Sequence, residues 1–278
     1  MLRVKNLSVA YGKIQVVRGV GFSVKPGQIV GIVGESGSGK STMLKSLAGL
    51  LEKYGQVTEG EAFYEGEDLL KLSEKQFRKL RGKEIALVFQ HPELSLDPLW
   101  KIGKTYYESV RVHRTLSRAE SDSEAERLFE ALHLENPRRI LESYPFELSG
   151  GMCQRAAIAI AIANGPRLLF ADEPTSALDV TIQKQVIDTM LELRKQFGTS
   201  IVIVSHNMGV IAAMADLVGV MKQGELVEWG TKEQVLYHPK HPYTRELICA
   251  IPKIREITPN IKRGMASDSA GEEGSHGV

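Results

Sequence analysis

The chain has 278 residues, of which 42% are hydrophobic and 25% charged, with 35 Lys+Arg set against 34 Asp+Glu. This is the composition of a globular protein able to bury a large core, either as one domain or as a domain carrying an inserted lobe. The balanced charge removes the global electrostatic argument for a nucleic-acid binder.

In chain order, residues 1–33 read as strands. Val4, Leu7 and Val9, then Val16, Val17, Val20, Phe22 and Val24, mix apolar with polar positions, and Pro26-Gly27 marks a turn. Ile29-Val30-Gly31-Ile32-Val33 is the short continuous apolar run that a buried parallel strand requires. After a glycine-rich stretch, Met43, Leu44, Leu47, Ala48 and Leu51 recur at helical spacing. Strands are expected at 61–64 and 85–89. From about 95 to 150 charged helical patterns dominate, with a capping box at Ser117 and Glu120, and this region reads as an inserted helical lobe. The α/β alternation then resumes with a strand at 168–171, a helix at 180–195, a strand at 201–204 and a helix at 209–215. Strands at 218–221 and 225–229 follow, joined through Gln223-Gly224. Residues 264–278 are Gly-, Ser- and Glu-rich and are expected to form a disordered tail.

Two cysteines, Cys153 and Cys249, are too few for a metal or Fe–S framework, which makes a reducing cytoplasm the simplest compartment. No apolar run approaches the ~18–20 residues needed to cross a bilayer. The start of the chain lacks the apolar core of a signal peptide. Any membrane connection is therefore expected to run through partner proteins.

Gly34-Glu35-Ser36-Gly37-Ser38-Gly39-Lys40-Ser41-Thr42 fits the phosphate-loop pattern G-x-x-x-x-G-K-[ST], between a buried-type strand and an amphipathic helix. The glycines let successive N–H groups curl inward around an anion. Lys40 supplies a point charge for the outer phosphates, the Ser41 hydroxyl a ligand for Mg²⁺, and the helix start a favourable dipole. Asp172-Glu173 ends a second apolar strand, at the sheet edge where ligands sit in α/β folds. Asp172 is suited to hold Mg²⁺ and Glu173 to act as general base, against the plainer reading of both as helix-cap acids. His206 and Gln90 also end apolar strands. The histidine is either structural or a contact to the γ-phosphate, and the amide either a ligand for Mg²⁺ or water or an ordinary loop residue.

Leu148-Ser149-Gly150-Gly151-Met152-Cys153-Gln154-Arg155 resembles the LSGGQ signature of ABC ATPases and stands between the phosphate loop and the Asp172 strand. The remaining motifs of that family fall in the same order. Tyr11 is similar to its adenine-stacking aromatic, Gln90 to the Q-loop glutamine, Ser176-Ala177-Leu178-Asp179 to the D-loop, and His206 to the switch histidine. The resemblance implies an α/β fold with a P-loop NTPase core of the ABC type. That core has a mixed sheet flanked by helices, an N-terminal antiparallel β part and the inserted lobe. The expected organisation is an ATPase domain over 1–252 and a tail over 253–278. The resemblance further implies ATP and Mg²⁺ as ligands, with Ser41, Gln90 and Asp172 on the metal. It implies a head-to-tail pair of ATPase subunits, in which Ser149, Gly150, Gly151 and Gln154 contact the ATP of the opposing subunit and Asp179 lies in the D-loop. The helix start after Ser149 is, independently of the family, a second anion-binding end.

His238-Pro239-Lys240-His241-Pro242-Tyr243-Thr244-Arg245-Glu246-Leu247, followed by Ala250-Ile251-Pro252, resembles the tail of oligopeptide, dipeptide and nickel importer ATPases. Ser143-Tyr144-Pro145-Phe146-Glu147 fits the same branch. His238 and His241 each precede a proline, which opposes a helix pairing them as metal ligands. Met152 and Cys153 depart from the broader signature, and Phe146 leans toward the nickel or metallophore side. The implied partners are transmembrane permease subunits, a second ATPase subunit and, through the complex, an extracytoplasmic solute-binding protein. The implied place is the cytoplasmic face of the membrane, with contacts to the permease through 91–99 and the lobe after it. The alternative is a non-transport ABC ATPase of the repair or translation type. Repair members need long coiled-coil insertions and translation members two cassettes, and the sequence offers neither.

Overall fold

The computed structural model describes residues 1–90, 95–176 and 178–249. Alternating burial along β1 (Leu2–Tyr11) and β2 (Ile14–Val24) makes a hairpin with one wet face. The other edge of β1 takes β4 (Gly55–Tyr64), whose partner is the short β5 (Glu67–Asp68), giving an antiparallel sheet of order β2-β1-β4-β5. The polar first half of β4 carries no strand pattern. Its pairing with Val9, Ala10 and Tyr11 of β1 is what extends the strand back from 61 to Gly55.

The second sheet has the order β10-β9-β3-β8-β7-β6. Its strands are β3 (Ile29–Val33), β6 (Ile85–Val88), β7 (Leu168–Asp172), β8 (Ser200–Ser205), β9 (Leu217–Lys222) and β10 (Glu225–Thr231). All neighbours are parallel except β9 and β10, so the sheet is mixed. β3 is buried along its whole length because both faces are covered. Val30 and Ile32 join the core shared with the antiparallel sheet and α1 (Lys40–Leu47), while Ile29 and Val33 join the core on the other face. Phe22 and Trp229, with centroids 6.0 Å apart, bridge the two sheets at the β10 edge.

Between β6 and β7 in sequence come α3 (Ile102–Arg111), α4 (Arg118–Ala131), α5 (Pro137–Glu142) and α6 (Gly150–Ile162). They pack on one another through Ile102, Tyr106, Phe129 and Ile140, with the Tyr106 and Phe129 rings edge-on at 6.2 Å. The Ser117–Glu120 capping box opens α4. On the sheet side, α6 lies against α7 (Val180–Phe197) so closely that a Cβ on Gly151 would sit 2.4 Å from Ile182 Cγ2. Among the described residues the remaining α-helices are α2 (Glu74–Leu80), α8 (Met208–Met214), α9 (Lys232–Tyr237) and α10 (Pro242–Cys249).

The α/β class, the antiparallel N-terminal part and the inserted helices match expectation. One helix reading differs, and one helix carried no reading at all. α1 stops at Leu47 rather than running to Leu51, because Gly49 takes φ 64 and terminates it. α2, which has one buried apolar residue, Phe77, is too short to carry a visible period. The tail from 253, Ala250-Ile251-Pro252, residues 91–94 and Ala177 lie outside the described residues.

Candidate functional site

Strands β3, β8, β7 and β6 are consecutive neighbours in the sheet. Each hands its C-terminal end to a polar segment: the loop 34–42 after β3, His206 after β8, Glu173 after β7, Gln90 just beyond β6. These segments line one cavity of about 700 Å³, together with Val16 and Leu247. Parallel strands present their carboxyl ends on one edge, so residues distant in sequence converge without further adjustment.

The loop is fixed by crowding. A Cβ on Gly34 would lie 2.2 Å from the Met221 carbonyl oxygen, and Gly39, at φ 97, caps α1 with no side chain of its own. The first N–H groups of α1 therefore remain available to a ligand. The Lys40 ammonium bends back under the loop, donating to the carbonyls of Gly34 and Glu35 at 2.8 Å each, with Ser38 Oγ at 3.4 Å. Burial pushes its pKa down, while the carboxylates of Glu173, Asp172 and Glu35 pull the other way. A buried cation amid inward-pointing amides is a donor set for a polyphosphate.

Asp172 Oδ1 accepts from the Ser41 hydroxyl at 2.7 Å. Burial, and next the Glu173 charge, raise the Asp172 pKa, against the Ser41 hydrogen bond. Two hard oxygens beside a strained pair of like charges fit Mg²⁺. That ion takes one or two protein oxygens and completes its shell with water and phosphate. Among the described residues no group of three His, Cys, Asp or Glu side chains could hold a metal unaided. Ser41 and Asp172 would hold the ion, and Gln90 lines the same cavity.

Glu173 is a non-glycine residue at φ 48. Its N–H donates to the Val204 carbonyl at 3.0 Å, which ties this left-handed turn to β8. The turn aims its carboxylate at His206, whose Nδ1 lies 2.5 Å from Glu173 Oε2. The carboxylate is 9% exposed and the imidazole 59%, so the ring shields the acid from one side and faces the opening with the other. A carboxylate held in this way can orient and deprotonate a water molecule.

Other expected site residues lie elsewhere. Tyr11 stands at the tip of β1, its ring packed over Gly55 and outside the cavity lining. Ser149 and Gly150 are exposed at the start of α6, where Ser149 Oγ accepts from the Met152 N–H at 3.3 Å. Gln154 is 2% exposed, a turn into the helix, and its Nε2 has no hydrogen-bond partner. Buried there, it does not stand at the exposed helix end that Ser149 and Gly150 form. Asp179 caps α7, accepting from Thr181 and Ile182 at 3.0 Å. Sequence reading missed Val16 and Leu247 as cavity walls. Neither carries a local signal, although Leu247 falls inside the His-Pro-Tyr segment that marked the branch.

A phosphate loop facing two carboxylates and a histidine across parallel strand ends defines a P-loop ATPase. The ABC transporter family model matches residues 17–176, and a model of the oligopeptide/dipeptide transporter C-terminal region matches 227–274. The chain is 44% identical over 259 residues to the dipeptide transport ATP-binding protein DppD of Lactococcus lactis, covering 91% of this chain and 74% of that protein. It is 41% identical over 270 residues to the metal-staphylopine import system ATP-binding protein CntD of Staphylococcus aureus, covering 96% and 99%. Among solved structures, the dimeric ATP-binding cassette MJ0796 bound to ADP and Pi superposes with a TM-score of 0.74 at 30% identity, over 84% of this chain and 99% of that one. The chain belongs to the ABC transporter family. Within it, this is an ATP-binding and ATP-hydrolysing subunit.

Proposed function

We propose that this subunit drives uptake of short peptides or metal chelates through partner permease subunits, with its cavity residues in the following roles. The loop Gly34–Thr42 holds the triphosphate of ATP through its N–H groups, and Lys40 neutralises the outer phosphates. Ser41, Asp172 and Gln90 would hold Mg²⁺, which would supply positive charge to offset that of those phosphates. Glu173 takes the proton of the attacking water. His206 donates its Nδ1 hydrogen to that carboxylate, orients it, and reaches the γ-phosphate with its exposed edge. Tyr11, beyond the cavity rim, stacks on the adenine.

The observation that carries this reading is the convergence of the phosphate loop, Glu173 and His206 on one cavity. No signature residue is part of its lining, and Ser149 and Gly150 are exposed. They complete the site from a second ATPase subunit, identical or paralogous, with Gly151 behind them and Gln154 supporting the helix from within. Asp179 lies beside the same junction, for its neighbour Leu178 is 3.9 Å from a Cβ built on Gly150. The dimeric state of the MJ0796 cassette supports this arrangement. Closure around ATP and reopening after hydrolysis then give the two states that the permease reads.

Peripheral attachment at the cytoplasmic face is proposed from the relatives' names as ATP-binding proteins of transport systems; among the described residues no helix is long and apolar enough to cross a membrane. Exposed Leu99 and Phe146, with Phe146 stacked on Tyr144 at 5.4 Å, are the proposed permease contacts. Residues 91–94 of that stretch lie outside the described residues. An extracytoplasmic solute-binding protein supplies the cargo. The cargo class rests on relatives named for dipeptide transport and metal-staphylopine import. A repair-type role is disfavoured, because the longest helix in the lobe, α4, has 14 residues and no coiled coil is present there.

Glu173→Gln tests the chemistry. Steady-state hydrolysis is expected to fall by about two to four orders of magnitude. ATP binding survives and an ATP-dependent dimer accumulates on gel filtration. Unchanged turnover would refute the assigned base.

A further inference from the structure

The peptide unit joining Gly34 to Glu35 is gripped at both ends. Its carbonyl oxygen accepts from the buried Lys40 ammonium at 2.8 Å. Its N–H donates at 3.0 Å to the phenolic oxygen of Tyr243, in α10 and 208 positions later. A peptide unit is planar and rigid, so a rotation imposed at one end is delivered at the other. The unit sits where β3 has ended and α1 has not begun, and no ladder of secondary structure fixes its plane.

Tyr243 is itself firmly seated. It is 3% exposed, and the Lys222 ammonium lies over its ring at 4.4 Å. The chain entering α10 is pinned to β10 by Glu228, which accepts from the N–H groups of Lys240 and His241 at 2.8 and 3.0 Å. One turn beyond Tyr243, Leu247 reaches the cavity wall. The Gly34 end cannot give way, because the Met221 carbonyl occupies the space beside it.

We propose that Tyr243 is a positioning residue for the phosphate loop, orienting the Gly34–Glu35 peptide and, through it, the Lys40 ammonium toward the outer phosphates of ATP. This rests on the reading of 34–42 as the triphosphate cradle. It gives the His-Pro-Tyr segment a task inside the nucleotide site, although α10 lies outside the core sheet.

Tyr243→Phe removes only the hydroxyl and keeps the ring under Lys222. In the purified full-length chain, the ATP Kd by calorimetry and the KM for ATP are both expected to rise about three- to tenfold, the worth of one buried hydrogen bond. At saturating ATP, kcat stays within about twofold, since Glu173 and His206 are not disturbed. A purely structural tyrosine would lower the thermal midpoint without this split between KM and kcat. Tyr243→Leu, which also loses the ring, separates packing from hydrogen bonding. If the Phe variant binds ATP like the wild type, or if both variants lose affinity only in proportion to their unfolded fraction, the proposal is overturned. Lys40→Ala in the same assay keeps the two readings apart. Wild-type affinity in Lys40→Ala brings down the cradle itself, whereas weakened binding there with a normal Tyr243→Phe brings down only the positioning role.

Discussion

Two helices of this protein begin at glycine-bearing turns and are finished in opposite ways. α1 starts at Gly39, which offers no capping side chain, and its surroundings are closed by Met221, Val16 and the back-folded Lys40. α6 starts at Ser149, which caps its own helix through the Met152 N–H, and among the described residues it stays exposed. The first end is left electrically unsatisfied but enclosed, so a ligand must supply the missing acceptor. The second has one N–H satisfied by its own cap and is exposed, which suits an end that waits for another molecule. A helix terminus alone does not define a binding site; what encloses it decides which partner can complete it.

The sharpest way to break this comparison is to damage each end separately. Lys40→Ala is expected to raise the ATP Kd of the isolated chain about ten- to a hundredfold, the range for a hydrogen-bonded charge, and to abolish turnover. Ser149→Glu is expected to leave that Kd unchanged while abolishing turnover equally, by setting a carboxylate against the facing triphosphate. Mixing the two dead variants then sharpens the result. In a head-to-tail pair one composite site carries both defects and the other carries neither, so partial ATPase activity returns when the facing helix belongs to an identical copy. Two inactive variants that stay inactive when mixed assign the facing helix to a paralogue.

A smaller effect separates the two caps. Ser149→Ala is expected to cost about 0.5–1 kcal/mol of folding stability by thermal unfolding, the low end for an exposed N-cap. No equivalent deletion exists at α1, where even Gly39→Ala would place a Cβ 2.7 Å from the Val16 carbonyl at a φ that opposes it. A stability loss from Ser149→Ala beyond about 2 kcal/mol would mean that the α6 end is held more tightly than its exposure implies.

The smallest expected effect concerns the anchor of α10. Burial pushes the Glu228 pKa up, but the polar groups around it, the N–H groups of Lys240 and His241 among them, together hold it below the ordinary glutamate value. Its folded pKa thus lies below its unfolded one. The stabilisation is complete above about pH 4.3 and is lost as pH falls through the folded value. Glu228→Gln should flatten the acid side of the stability profile in thermal melts between pH 3 and 6. A profile identical to that of the wild type would remove Glu228 from the anchoring of α10.

Sequence alone exposed the parts whose chemistry is local. The loop 34–42, the Asp172-Glu173 pair and the 148–155 signature each declare themselves within ten residues, because cradling an anion or ending a strand is settled by near neighbours. The order of the strands was not legible, nor was the pairing of polar Gln56 with Ala10 in β4 and β1, since register emerges only when distant segments meet. Val16, Tyr243 and Leu247 escaped for the same reason. A tyrosine that serves a backbone amide 208 positions away looks, in sequence, like any core aromatic. Gln154 shows the converse: it belongs to a legible motif, and burial gives it a different station from its neighbours.

The row β3, β8, β7, β6 has one further consequence. Neighbouring strands stand about 4.8 Å apart, so the row acts as a ruler of three divisions, about 14 Å from the loop end to Gln90. Main-chain ladders fix those graduations and side chains do not, so drift in the sequence can exchange the instruments mounted along the edge without altering their intervals. Only the gain or loss of a whole strand could recalibrate it.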